Sequence, residues 1–149
     1  TVVLMEGINF SIGRGTTKPF EYIGAPWIEP VKFAKDLNSL GLKNFKFRPT
    51  YFKPTFSIYK KKTCGGVQIF YIGGTFDPTE VSYKLIKHIA QYKEFKWDIY
   101  KGRHKVDYLA GTDAFRKFVN DDKPFAAFKK YIEKDNNVFI DKKRNYVLY

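Results

Sequence analysis

Residues 65–74 read GGVQIFYIGG: five or six β-favouring residues with a glycine pair at each end. No other stretch constrains the fold as strongly. A short run of Val, Ile, Phe and Tyr closed off by glycines is a strand, too short for a helix of ordinary length. It demands partners, because a lone strand leaves its backbone donors and acceptors unpaired. The neighbouring FKFRPTYF, residues 45–52, alternates apolar and polar residues up to Pro49. It reads as a second strand that ends or bends at the proline. Val2 to Met5 is a third, shorter β-type run, bounded by Glu6-Gly7.

Helices follow different signals. Pro30 suits a first helical turn, Phe33, Ala34, Leu37 and Leu40 share one face, and Gly41 stands where a C-cap glycine belongs. DPTE at 77–80 combines a capping aspartate, a first-turn proline and the glutamate of a capping box. Val81, Leu85, Ile89 and Tyr92 then form the apolar stripe. Further starts lie at Thr112, with Phe115, Phe118 and Val119 inward, and at Asp122-Lys123-Pro124, with Phe125, Phe128 and Ile132 inward. The tail NNVFIDKKRNYVLY fits either a helix end or a strand. Between the first run and Pro30, residues 6–30 are rich in Gly, Pro, Thr and rings and show no sustained period. They read as a long ordered loop with one helical turn near Pro19–Ile23. The order of elements predicts an α+β fold: a small mixed sheet with helices packed on it.

The chain has 149 residues, enough for one domain with one core. Aromatic residues make up 19%, which fills that core and leaves rings for a groove or interface. A net charge of +12 favours polyanionic surroundings such as nucleic acid, anionic lipid or acidic wall polymer, although a solvated lysine surface gives the same total. No apolar run is long enough to span a bilayer, and no signal peptide is visible. The first residue is Thr1 rather than Met, so a mature product or an excised domain is expected.

Several chemistries are poorly served. Cys64 is the lone cysteine, and neither His88 nor His104 stands in a pattern that ties it to Cys64 as a base. One cysteine and two scattered histidines offer no metal-ligand spacing, and no metal or cofactor is expected. GRGTTK, residues 13–18, lacks the spacing of a Walker loop and the third glycine of a dinucleotide loop. It remains either a turn or a small cradle in which Arg14 offers a planar fork to a carboxylate. The basic, aromatic segment FKFRPTYFKPTFSIYKKK suits nucleic acid by charge, but no helix-turn-helix, zinc-finger or RNP-like motif accompanies it. Among the acids, Glu6 stands apart, at the junction of an apolar run and the Gly-rich segment.

Four segments, in order, carry a family resemblance: LMEGINFSIGRGTTKPFEYIGAPWI, FRPTYFKPTFSIYKKKTCGGVQI, VDYLAGTDAFRK and the final YVLY. Together they resemble the C-terminal domain of the NamZ-type exo-β-N-acetylmuramidases, over essentially the whole chain. The resemblance implies enzymes that release terminal N-acetylmuramic acid from peptidoglycan fragments, in the periplasm or outside the cell. It also implies a larger Rossmann-like N-terminal domain that carries the catalytic glutamates, with the cleft where the domains meet. This chain then holds no catalytic residue and should be inactive alone. Its implied partners are muramic-acid-containing peptidoglycan fragments and that N-terminal domain, with no specific nucleic acid. By the same match, Glu6, Asn9, Arg14, Gly15 and Thr16 face the cleft and bind substrate. Arg14 would pair with the lactyl carboxylate; Glu6 would accept from a sugar hydroxyl or hold Arg14; Asn9 and Thr16 would bond polar sugar groups or shape the loop. Two positions depart from the commonest family pattern, which has Thr at 8 and Glu at 12; here both are Ile. Any contribution of an acid at 12 is therefore missing. The alternative from another class is a basic binding module for nucleic acid or anionic wall polymer.

Overall fold

The computed structural model describes residues 2–144 and 146, leaving the side chain of residue 135 aside. Three strands, β1 (Tyr22–Ala25), β2 (Phe45–Phe52) and β3 (Cys64–Tyr71), form the main sheet in the order β1-β3-β2. Every pairing is antiparallel, so the sheet is small, as expected, but not mixed. The central strand is GGVQIFY, and its leading glycines have a packing reason. A Cβ on Gly66 would lie 2.0 Å from the Ile23 carbonyl oxygen, and one on Gly65 2.1 Å from that of Ile28. β1 and the segment after it cross this end of β3 at backbone distance, which only glycine permits.

β2 runs straight through Pro49, which is paired in register with Val67. β2 is an edge strand, and an edge tolerates a residue with no N–H to donate. Two expectations for the N-terminal segment fail. Val2–Gly7 is a 3-10 helix rather than a strand, burying Met5. The helical turn expected near Pro19–Ile23 is instead a turn that runs into β1. Short β-branched runs take the form their tertiary neighbours offer, and propensity alone does not settle them.

The helices obey their local signals more closely. α1 (Pro30–Asn38) has Pro30 at its first turn and buries Phe33, Ala34 and Leu37. Its N-cap is Glu29, whose carboxylate accepts from the Val31 and Lys32 amides at 2.9 and 2.5 Å. Ser39 is the C-cap; Gly41 lies two residues further on, with φ +73°. The Asn38 side chain brackets Phe47 of β2, donating to its carbonyl and accepting from its amide. α2 (Pro78–Ile89) is capped by Asp77, which accepts from Thr79 and Glu80 at 2.8 and 3.2 Å. It buries more than one stripe: Val81, Ser82, Tyr83, Leu85, Ile86 and Ile89 are all inside.

A two-stranded ribbon, β4 (Ile99–Tyr100) and β5 (Arg103–His104), leads directly into α3 (Lys105–Ala110). α4 (Ala114–Asn120) begins where Thr112 accepts from the Ala114 amide at 3.2 Å. α5 (Phe125–Arg144) resolves the ambiguous tail as helix up to Arg144; of the final YVLY, only Tyr146 is among the described residues. Tyr83 joins α2 to α4 and α5. Its ring stacks on Phe128 with centroids 5.4 Å apart and stands edge-on to Phe115, and its hydroxyl donates to the Lys123 carbonyl at 2.8 Å. Burial pushes its phenol pKa up to about 12.

Candidate functional site

Residues 6–14 form a run with a period the composition conceals. Glu6, Ile8, Phe10, Ile12 and Arg14 all face one cavity of about 180 Å³. The residues between them attach the run to its surroundings. The Gly7 carbonyl accepts from Asp98, Asn9 accepts and donates through its backbone and side chain to residues 94–96, and Ser11 pairs with Gly24 in both directions. Beyond the 3-10 helix that carries Glu6 and Gly7, this is strand-like alternation without a long ladder. Gly, Asn and Ser on the attached side mask the apolar side in the sequence.

The floor of the cavity is apolar. Ile8 and Ile12 are 2% and 4% exposed, with Phe10 between them. Charges stand at the rim. Arg14 Nη2 donates to Glu6 Oε1 at 2.6 Å, and the guanidinium lies 4.9 Å from the Phe20 ring centroid. Glu6 Oε2 is 3.9 Å from Lys105 Nζ, which is in turn 3.9 Å from Asp98. Among the described residues, Nε and Nη1 of Arg14 have no hydrogen-bond partner, and the side chain is 44% exposed. A cation gripped on one side by a carboxylate and backed by a ring is aimed, with donors to spare.

The turn that presents Arg14 depends on its glycines. Gly13 has φ +75° and Gly15 φ +81°, the left-handed region. A Cβ at Gly15 would sit 2.7 Å from the Phe56 amide nitrogen. The Gly15 carbonyl also accepts both the amide and the hydroxyl of Thr55, each at 2.9 Å. Gly15 thus clamps the 53–62 loop, which brings Ser57 and Ile58 to the cavity. Thr16 closes the turn on itself: its hydroxyl donates to the Gly13 carbonyl at 2.7 Å and accepts from Lys18 at 3.1 Å.

Of the five residues singled out in the sequence, Glu6 and Arg14 bring their side chains together at the cavity. Gly15 and Thr16 shape the turn behind Arg14. The Asn9 side chain is engaged with the backbone of Glu94 and Lys96, at 2.7 and 2.8 Å. Sequence reasoning missed Lys105 and Asp98. Nothing local marks them; they arrive because the Gly7 carbonyl and Lys105 amide both bond to Asp98.

The other candidates lie elsewhere. Cys64 is fully buried at the start of β3, and burial pushes its thiol pKa up to about 11, so it stays protonated at neutral pH. His88 is packed against Phe33 and Tyr92, with burial lowering its pKa. Among the described residues, no group of three or more His, Cys, Asp or Glu could hold a metal ion, and no helix is long and apolar enough to cross a membrane.

Fold and cavity together define an α+β domain that presents an aimed arginine on an apolar floor. The family described as "Exo-beta-N-acetylmuramidase NamZ, C-terminal" matches residues 1–149, and the chain belongs to that family. It is 33% identical over 147 residues to the peptidoglycan beta-N-acetylmuramidase NamZ of Bacillus subtilis (strain 168), a match covering 98% of this chain and 35% of that protein. A crystal structure of a DUF1343 family protein from Bacteroides fragilis NCTC 9343 superposes with a TM-score of 0.79 at 25% identity, covering 99% of this chain and 40% of that one. A second DUF1343 protein from the same organism shares the fold, with a TM-score of 0.61 at 21% identity and 39% of its length covered. The chain therefore spans between a third and two fifths of the relatives it matches.

Proposed function

We propose that this chain is the C-terminal domain of a peptidoglycan-degrading exo-β-N-acetylmuramidase that works outside the cytoplasm. Its Glu6–Arg14 cavity forms one wall of the pocket that takes terminal N-acetylmuramic acid. The catalytic carboxylates belong to the part of the relatives' length that lies beyond this chain. The observation that carries the reading is the state of Arg14: fixed by Glu6 and Phe20, with its remaining donors free over an apolar floor. A guanidinium in that state suits the lactyl carboxylate, and the floor of Ile8 and Ile12 suits the apolar face of a sugar ring. Glu6 then acts as the group that holds Arg14, and a carboxylate at position 12 would have competed with the ligand for that same cation.

The test is hydrolysis of a chromogenic N-acetylmuramic-acid glycoside by the full-length protein carrying Arg14→Ala. Loss of a charged hydrogen bond costs roughly 1.5–3 kcal/mol, so kcat/KM should fall about 10- to 150-fold. An unchanged kcat/KM in a variant of normal Tm removes the carboxylate role. The binding-module alternative predicts salt-sensitive affinity for single-stranded nucleic acid.

A further inference from the structure

A second cavity, of about 410 Å³, lies beside α3 and is lined by Gly102, Arg103, His104, Asp107, Tyr108 and Arg116 among others. It is the right size for a small ligand. It is also a neighbour of the first cavity: His104 lines one and Lys105 the other, a single peptide apart.

Its walls are unusual for a solvated surface. Tyr108 is half-exposed, and Tyr100 stands edge-on to it, centroids 6.2 Å apart. Tyr100 is held out by the β4–β5 ribbon, two residues a side, whose turn has Lys101 at φ 49° and Gly102 at φ 76°. Two positive φ values in a two-residue turn match the twist of a tight hairpin but are costly at a lysine. A ribbon of this length has no stability of its own. Its exposed tyrosine adds little to the core, so packing does not account for the device.

The polar side is preset. Asp107 grips Arg116 through Nε and Nη2, at 3.0 and 2.8 Å, and this pairing raises the guanidinium pKa. Nη1 of Arg116 makes no hydrogen bond among the described residues. Arg103 and Arg116 are balanced in the lining by Asp107 and Asp113, so the wall offers fixed donors rather than a strong anion trap. Donors beside exposed tyrosine rings suit a neutral, acceptor-rich ligand with a C–H face.

We propose that this cavity is a second saccharide site, taking an N-acetylated pyranose of the same glycan. The sugar's C–H face lies on Tyr108, and its acetamido or hydroxyl oxygens accept from Arg116 Nη1 and Arg103. The choice of sugar rests on the peptidoglycan reading above; the cavity and its donors do not.

The experiment titrates the full-length protein with chitotriose, which has N-acetyl groups and no lactyl carboxylate, by calorimetry. The expected result is saturable binding, weakened about three- to tenfold by Tyr108→Ala and retained by Tyr108→Phe, which keeps the ring. Tyr108 is half-exposed, so the alanine variant should fold, and its Tm checks this. Absence of saturable binding, or equal affinity of the wild type and Tyr108→Ala, overturns the proposal. So does weakening by Arg14→Ala alone, which would put the sugar in the first cavity. A second measurement compares KM for a one-sugar muramic glycoside and for a longer glycan. Tyr108→Ala should shift the ratio of the two, whereas Arg14→Ala should raise both together. If the wild type hydrolyses neither, the proposed function fails, and the titration still decides the second site.

Discussion

The helical part of the chain, residues 77–144, and the segment 6–30 are built by opposite means. α2 carries its own instructions: Asp77 caps it, Pro78 opens it, and its apolar residues return every three or four positions. The segment 6–30 carries almost none. Its turn is closed partly by Thr16 but held by Thr55, its alternation is anchored on residues 94–98, and its strand β1 pairs along its whole length with β3. The comparison teaches where specificity resides. Local rules build the support, and distant contacts build the surface that meets a ligand.

The comparison is broken most severely at the sheet. Gly66→Val would drive a side chain into the Ile23 carbonyl oxygen, 2.0 Å from its Cβ, and against the Gly24 Cα at 2.7 Å, both backbone atoms of β1. We expect a loss beyond about 4 kcal/mol, read as failure to give a cooperative thermal transition. A folded variant with near-normal Tm would mean that β1 can move away from β3. Next is Tyr83→Ala, which empties the junction of α2, α4 and α5 and should cost about 3–5 kcal/mol by urea denaturation.

Smaller effects separate the two regions better. Gly15→Ala places a Cβ at φ +81° and 2.7 Å from the Phe56 amide, for about 1–3 kcal/mol. Asp77→Ala removes one cap, for about 1 kcal/mol. Their stabilities are similar, but their activities should differ. Gly15→Ala moves Arg14 and should lower kcat/KM for a muramic glycoside several-fold more than Asp77→Ala does. Equal activities would end the distinction drawn between support and site.

The smallest effect is acidic weakening through His88. Burial lowers its pKa below the ordinary 6.5, with Lys32 acting in the same direction and Asp36 opposing. A group with a depressed folded pKa favours the fold above its unfolded pKa. That stability is lost as pH falls from about 6.5 through the folded value, at no more than about 1.4 kcal/mol per pH unit. In His88→Gln the decline between about pH 6.5 and 5 should flatten; an identical slope assigns it to other groups.

Much of this molecule was determined by sequence alone. The strand at Cys64–Tyr71, the helix starts at Pro30, Pro78, Thr112 and Pro124, and the α+β class all follow from propensity, caps and period, which act within a few residues. The family resemblance likewise pointed to Glu6 and Arg14. Tertiary structure alone decided that Val2–Gly7 is a 3-10 helix, that Tyr22–Ala25 is a strand, and that Asn9 braces the backbone at 94–96. It decided, too, that Lys105 and Asp98 join the rim, and that Ile12 is floor beneath Arg14. Those outcomes depend on which distant groups complete each hydrogen bond and cover each apolar face. No window of neighbouring residues contains that information.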